Sequence, residues 1–145
     1  MMSQNTPHAV PEDPGRRTLA SGFAVAAGLT FCLIVVGALV RAHDAGLACP
    51  DWPLCYGTLL PARQMNLQVF LEWFHRLDAF LVGIGLIVLL ALSLLERATQ
   101  PRWLPWLSGV ALLLVAAQGA LGALTVTQLL RFDIVTAHLA TALLL

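Results

Sequence analysis

The sequence predicts an all-α membrane protein, a polytopic four-helix bundle whose fourth helix is cut short. Three observations carry that expectation. Of its 145 residues, 59% are hydrophobic and 11% charged, with a mean hydropathy of +0.81, far from the balance of a soluble globular domain. Three apolar runs, about 18–40, 69–95 and 103–127, each reach the roughly 20 residues that cross a ~30 Å hydrocarbon core. A fourth, 134–145, is apolar but spans only roughly 18 Å at about 1.5 Å per residue. The chain therefore reads as the amino-terminal part of a longer protein. Net charge is zero and every basic residue is arginine. No basic tract or patch points to nucleic acid.

Residues 1–17 form a polar, proline-rich stretch, expected to be a disordered cytoplasmic tail. Arg16 and Arg17 precede the first run in the manner of a twin-arginine leader. A signal core spans about 7–15 residues, however, and this run is longer and is followed by further spans. It is expected to be a retained helix, with Cys32 packing inside it as a small hydrophobe. Loop 42–68 follows and carries Cys49 and Cys55. If those two are bonded, the loop faces an oxidising compartment. An amino terminus inside also puts Arg16, Arg17, Arg97 and Arg102 in the cytoplasm against Arg41, Arg63 and Arg131 outside, a weak positive-inside bias.

Pro101 and Pro105 mark a tight turn from helix 2 to helix 3, and Trp103 and Trp106 suit the membrane interface. Helix 3 then carries Gln118, Gly119, Ala120, Gly122 and Ala123, small residues that let helix backbones approach closely.

The costly residues lie at the start of helix 2, in FLEWFHRLDAF (70–80). Glu72, His75, Arg76 and Asp78 are expensive to bury in lipid, and such residues ordinarily serve a function. His75 lies a few residues into helix 2. His138 lies a few residues beyond Asp133, an expected N-cap of helix 4. Both helices enter from the same side, so the two imidazoles are expected at matched depth near the outer face. A flat metallocofactor between them is the natural use, since histidine is an axial ligand of heme iron. Ala79 and Gly83 below His75, and Thr141 and Ala142 beside His138, keep the neighbouring surfaces small. The plainer alternative is that each histidine hydrogen-bonds across helices. Glu72 shares a face with His75 and could move a proton, stabilise charge on a substrate or hold the histidine tautomer. Arg76 could pair with Glu72 one turn away or meet a heme propionate. Asp78 could pair with Arg76 or Arg131 and is given no chemical role.

Between the cysteines, PDWPL contains two prolines that restrict the ring before any disulfide closes it. The pair reads either as a staple that stiffens a lid over the helix ends or as a redox pair exchanging electrons with a partner.

GALVRAHDAGLACPDWPLCYG, EWFHR, LGALTV and VTAHL, in that order and each at an expected helix boundary, resemble the amino-terminal half of the heme A synthase family. The resemblance runs from about Gly37 to the end of the sequence. It implies an eight-helix, pseudo-twofold protein of which this chain is one half, resident in the bacterial cell membrane. It implies that this half converts heme O to heme A by oxidising a ring methyl to a formyl group, for cytochrome oxidase biogenesis, and that the other half holds heme b. By match of motif, Glu72 corresponds to the essential glutamate, His75 and His138 to the substrate-site histidines, and Cys49 and Cys55 to the disulfide of many bacterial members. Arg76 is the residue expected at a propionate. The partners it implies are heme O, membrane lipid, heme O synthase and an electron acceptor, with homo-oligomerisation as a way to rebuild eight helices. His43 and Asp44 depart from the family's pattern, where a pair such as Thr-Gly is expected.

Two rivals follow from the same residues. A b-type cytochrome would use the histidine pair for electron transfer alone. A membrane thiol oxidoreductase would use Cys49 and Cys55, but needs a second thiol pair or a quinone site.

Overall fold

The computed structural model describes residues 14–145, and the expected tail lies largely outside them. Four helices follow in order: α1 (Pro14–Ala42), α2 (Leu67–Leu95), α3 (Leu104–Thr127) and α4 (Phe132–Ala142). The first three are long and apolar enough to cross a membrane. The fourth has 11 residues. Among the described residues the only β pairing is an isolated bridge between Cys55 and Thr58.

α1 is described from Pro14, so residues 14–17, expected in the tail, are helical. α1 ends where Asp44 adopts φ 51° and the Ala45 N–H reaches back to the Val40 carbonyl at 2.9 Å. That is the left-handed helix stop usually occupied by glycine, and aspartate is among the few other residues that tolerate it. The departure Asp44 makes from the family's pattern is thus accommodated by the backbone, while His43 Nδ1 sits 3.0 Å from the Leu39 carbonyl.

α2 is capped by Asn66, whose side chain accepts the Val69 N–H at 2.9 Å. It packs on α1 on one side and α3 on the other, and α4 packs on α3. A core of Leu19, Ala26, Val82, Leu86, Leu89 and Leu104 holds the first three helices together. The helices meet closely where side chains are small: a β-carbon on Gly22 would stand 2.6 Å from Leu89. Ser93 and Ser108, both fully buried, return their hydroxyls to the Leu90 and Leu104 carbonyls of their own helices, so neither hydroxyl is stranded. Phe31, Phe80, Ile87 and Leu113 point outward, as lipid-facing residues do. Trp103 and Trp106 are exposed at the start of α3, as expected of interface anchors.

The α3–α4 turn contains two consecutive left-handed leucines, Leu129 and Leu130. The Leu130 N–H bonds the Thr125 carbonyl at 2.8 Å, and its side chain packs over Gly46 in the first loop. Here the structure corrects an expectation. The N-cap of α4 is Arg131, not Asp133; Asp133 lies inside the first turn because the Arg131 side chain captures its carboxylate at 2.6 and 3.2 Å.

Candidate functional site

The loop between α1 and α2 folds onto the outer end of α2 through Glu72 and Arg76. Glu72 is 4% exposed. Its Oε2 accepts the Cys49 N–H at 2.8 Å, and its Oε1 pairs with Arg76 one turn on. Arg76 Nη1 donates to the carbonyls of Asp51 and Leu54, each at 2.5 Å, and Nη2 donates to the Cys49 carbonyl at 3.2 Å. The Asp51 carboxylate closes the loop from within, accepting the Tyr56 and Gly57 N–H groups at 2.6 and 2.8 Å. Cys49 and Cys55 are joined and sealed with Val69 against Ala48 and Trp73, at 0% and 1% exposure. That burial is the property of a staple, since exchange with a partner needs an accessible sulfur.

One turn deeper, His75 turns toward α1. Its ring lies by the Leu33 carbonyl and over Gly37, where a β-carbon would come within 2.9 Å of Cε1. His138 on α4 lies over Gly122 of α3, where a β-carbon would be 3.6 Å from its Cε1. In both rings Nδ1 is buried with no hydrogen-bond partner. The sequence does not show Gly37 and Gly122 as partners of the histidines, because residue order does not say which glycine faces which ring.

α4 is held beside α3 by a hydrogen bond from Gln118 Nε2 to Thr141 Oγ1. Thr141 passes its own proton to the Ala137 carbonyl at 2.7 Å. No comparable packing joins α4 to α1 or α2. Among the described residues no three His, Cys, Asp or Glu side chains gather around one point. The histidines are thus the two imidazoles available here to a metal-bearing group, without a cluster of further donors around them. That donor set suits a heme, whose four in-plane ligands come from the porphyrin, leaving the protein two axial nitrogens to supply.

Other expectations change. Gly83 does not floor an open groove below His75, because Val115 of α3 packs 3.8 Å from where its β-carbon would be. Asp78 pairs with neither Arg76 nor Arg131: it is 2% exposed, both oxygens lack a hydrogen bond, and its polar neighbour is the thiol of Cys32 on α1. Cys32 thus faces a carboxylate rather than packing as a plain hydrophobe.

A polytopic helical membrane chain with a histidine on each of two helices and a disulfide-closed loop fastened to the end of α2 is the class of protein these features define. The family model described as cytochrome oxidase assembly protein, COX15-CtaA, matches residues 22–145, and the chain belongs to that family. It is similar to the heme A synthase of Shewanella oneidensis, 38% identical over 127 residues, covering 76% of this chain and 37% of that protein. It is also similar to that of Symbiobacterium thermophilum, 38% over 137 residues, covering 88% and 42%. The heme A synthase of Geobacillus kaustophilus is 40% identical over 114 residues, covering 75% and 33%. The chain thus spans about two fifths or less of the length of these relatives. No solved structure matches it.

Proposed function

We propose that this chain is the heme-modifying half of a heme A synthase, in which His75 of α2 and His138 of α4 would hold heme O. The observation that carries this reading is the pair of imidazoles on α2 and α4, each set over a glycine of the neighbouring helix and each with a buried Nδ1 that has no hydrogen-bond partner. Bound heme O would supply a redox-active iron and the ring methyl that is oxidised to a formyl group, with water or dioxygen giving the oxygen atom and an electron acceptor taking up the electrons. The protein's part is to hold that edge and manage charge and protons beside it. His75, set by Gly37, and His138, set by Gly122, would hold and orient the substrate. Glu72, one turn above His75 on α2, is the carboxylate proposed to stabilise positive charge at the reacting carbon or accept its proton. Its pairing with Arg76 offsets the cost of keeping it ionised away from water.

The outer loop would face the periplasm, since a disulfide persists in an oxidising compartment, with the start of α1 in the cytoplasm of a bacterial cell. Heme O synthase as donor, an electron acceptor, and heme b in a second half or a second copy complete the proposal.

The test is Glu72→Gln. It should leave heme bound and abolish conversion of heme O to heme A, read by pigment extraction. Normal heme A in that variant would remove Glu72 from the chemistry. One observation favours a second reading: both Glu72 oxygens are engaged in holding the loop, as they would be in an electron-transferring b-type cytochrome. Heme b as the only extractable pigment would select it.

A further inference from the structure

Glu72 does not aim itself. A guanidinium carries five N–H groups in a rigid fork, and four of those of Arg76 already have acceptors: the carbonyls of Asp51, Leu54 and Cys49, and the Glu72 carboxylate. Cys49 is gripped at both backbone atoms, its N–H by Glu72 and its C=O by Arg76. The carboxylate, the guanidinium and the disulfide-closed loop form one hydrogen-bonded unit.

We infer that Arg76 is a positioning residue, orienting Glu72 and fastening the Cys49–Cys55 loop over the outer end of α2, rather than an anchor for a heme propionate. The inference rests on the proposed role of Glu72 at the reacting edge. Turning Arg76 toward a propionate would withdraw donors from loop carbonyls. It would also leave the Glu72 carboxylate buried without its counter-charge, which is strongly unfavourable. Lysine cannot replace it fully, because an ammonium has three donors on a point charge and cannot span acceptors on Asp51, Leu54, Cys49 and Glu72 together. The loop and the carboxylate are coupled in both directions. Freeing the loop lets Glu72 turn, and losing Glu72 leaves the Cys49 amide without an acceptor.

The test uses the full chain in a Cys32→Ser background, so that maleimide labelling reads only the loop cysteines. Arg76→Gln and Arg76→Lys are compared with the parent for the rate at which a phosphine reductant opens the disulfide, and for heme content and spin state. The expected result is reduction faster by about tenfold, the scale of one lost charge-assisted hydrogen bond. Heme should be retained in the low-spin state, with Arg76→Lys intermediate. Loss of heme with an unchanged reduction rate would overturn the inference in favour of a propionate anchor. An unchanged rate with heme intact would overturn it as well. Should Arg76→Gln fail to fold, Arg76→Lys decides on the same two readouts. Neither readout involves heme A formation. Normal heme A in Glu72→Gln would therefore sink the catalytic reading and leave the clamp to be judged separately.

Discussion

Gly37 of α1 lies beneath the imidazole of His75, so close that a β-carbon there would stand 2.9 Å from Cε1 of the ring. A side chain of any size must move the ring or part the helices, and overpacking of this kind costs about 1–3 kcal/mol. Gly37→Ala is predicted to weaken heme binding by about tenfold or more, measured by titration of the apoprotein. Gly28→Ala is the control, because nothing lies within 4 Å of its added carbon. Equal affinity in the two variants would contradict this packing.

The hydrogen bond from Gln118 to Thr141 is the polar tie between α3 and the helix bearing His138. Interhelical bonds in membranes contribute about 0.6–2 kcal/mol. Gln118→Leu and Thr141→Val should each lower the temperature at which heme is released, and the double variant should lose no more than either alone. Additive losses would mean that the two side chains act independently.

Asn66 fixes where α2 begins, and with it the register of Glu72 and His75. Asn66→Ala should cost about 1 kcal/mol of stability, the usual cost of a lost N-cap, in denaturant unfolding, with the heme spectrum unchanged. A stability equal to the parent's would show that loop contacts alone set the helix start.

Asp78 is buried with the Cys32 thiol beside it and no arginine paired to it, and a carboxylate in a helix at membrane depth is unfavourable by about 2.5–3.5 kcal/mol on insertion scales. Asp78→Asn keeps the shape and removes the ionisable group. A rise in thermal midpoint is expected, and a fall would reveal a partner that the carboxylate alone satisfies.

Much of this was legible in residue order. Apolar runs longer than the bilayer thickness announced α1, α2 and α3, because lipid imposes length and composition directly. His75 and His138 stood out because a polar residue in an apolar run is conspicuous. What hid was whatever depends on a partner far away in the chain. Glu72 and Arg76 were legible as an ion pair one turn apart, but their grip on Cys49, Asp51 and Leu54 comes from the loop's path. Asp133 looked like a cap until the Arg131 side chain took its carboxylate. Asp78 seemed destined for an arginine, yet each arginine in reach is committed elsewhere. Gly83 read as a groove because sequence does not show Val115 filling it.

The most direct test is the low-temperature spectrum of the ferric heme-loaded protein, compared with His75→Ala and His138→Ala. Two axial imidazoles on one iron require a low-spin signal in the parent and a high-spin signal in each single variant. A low-spin signal that survives both substitutions would place the iron elsewhere and contradict the account.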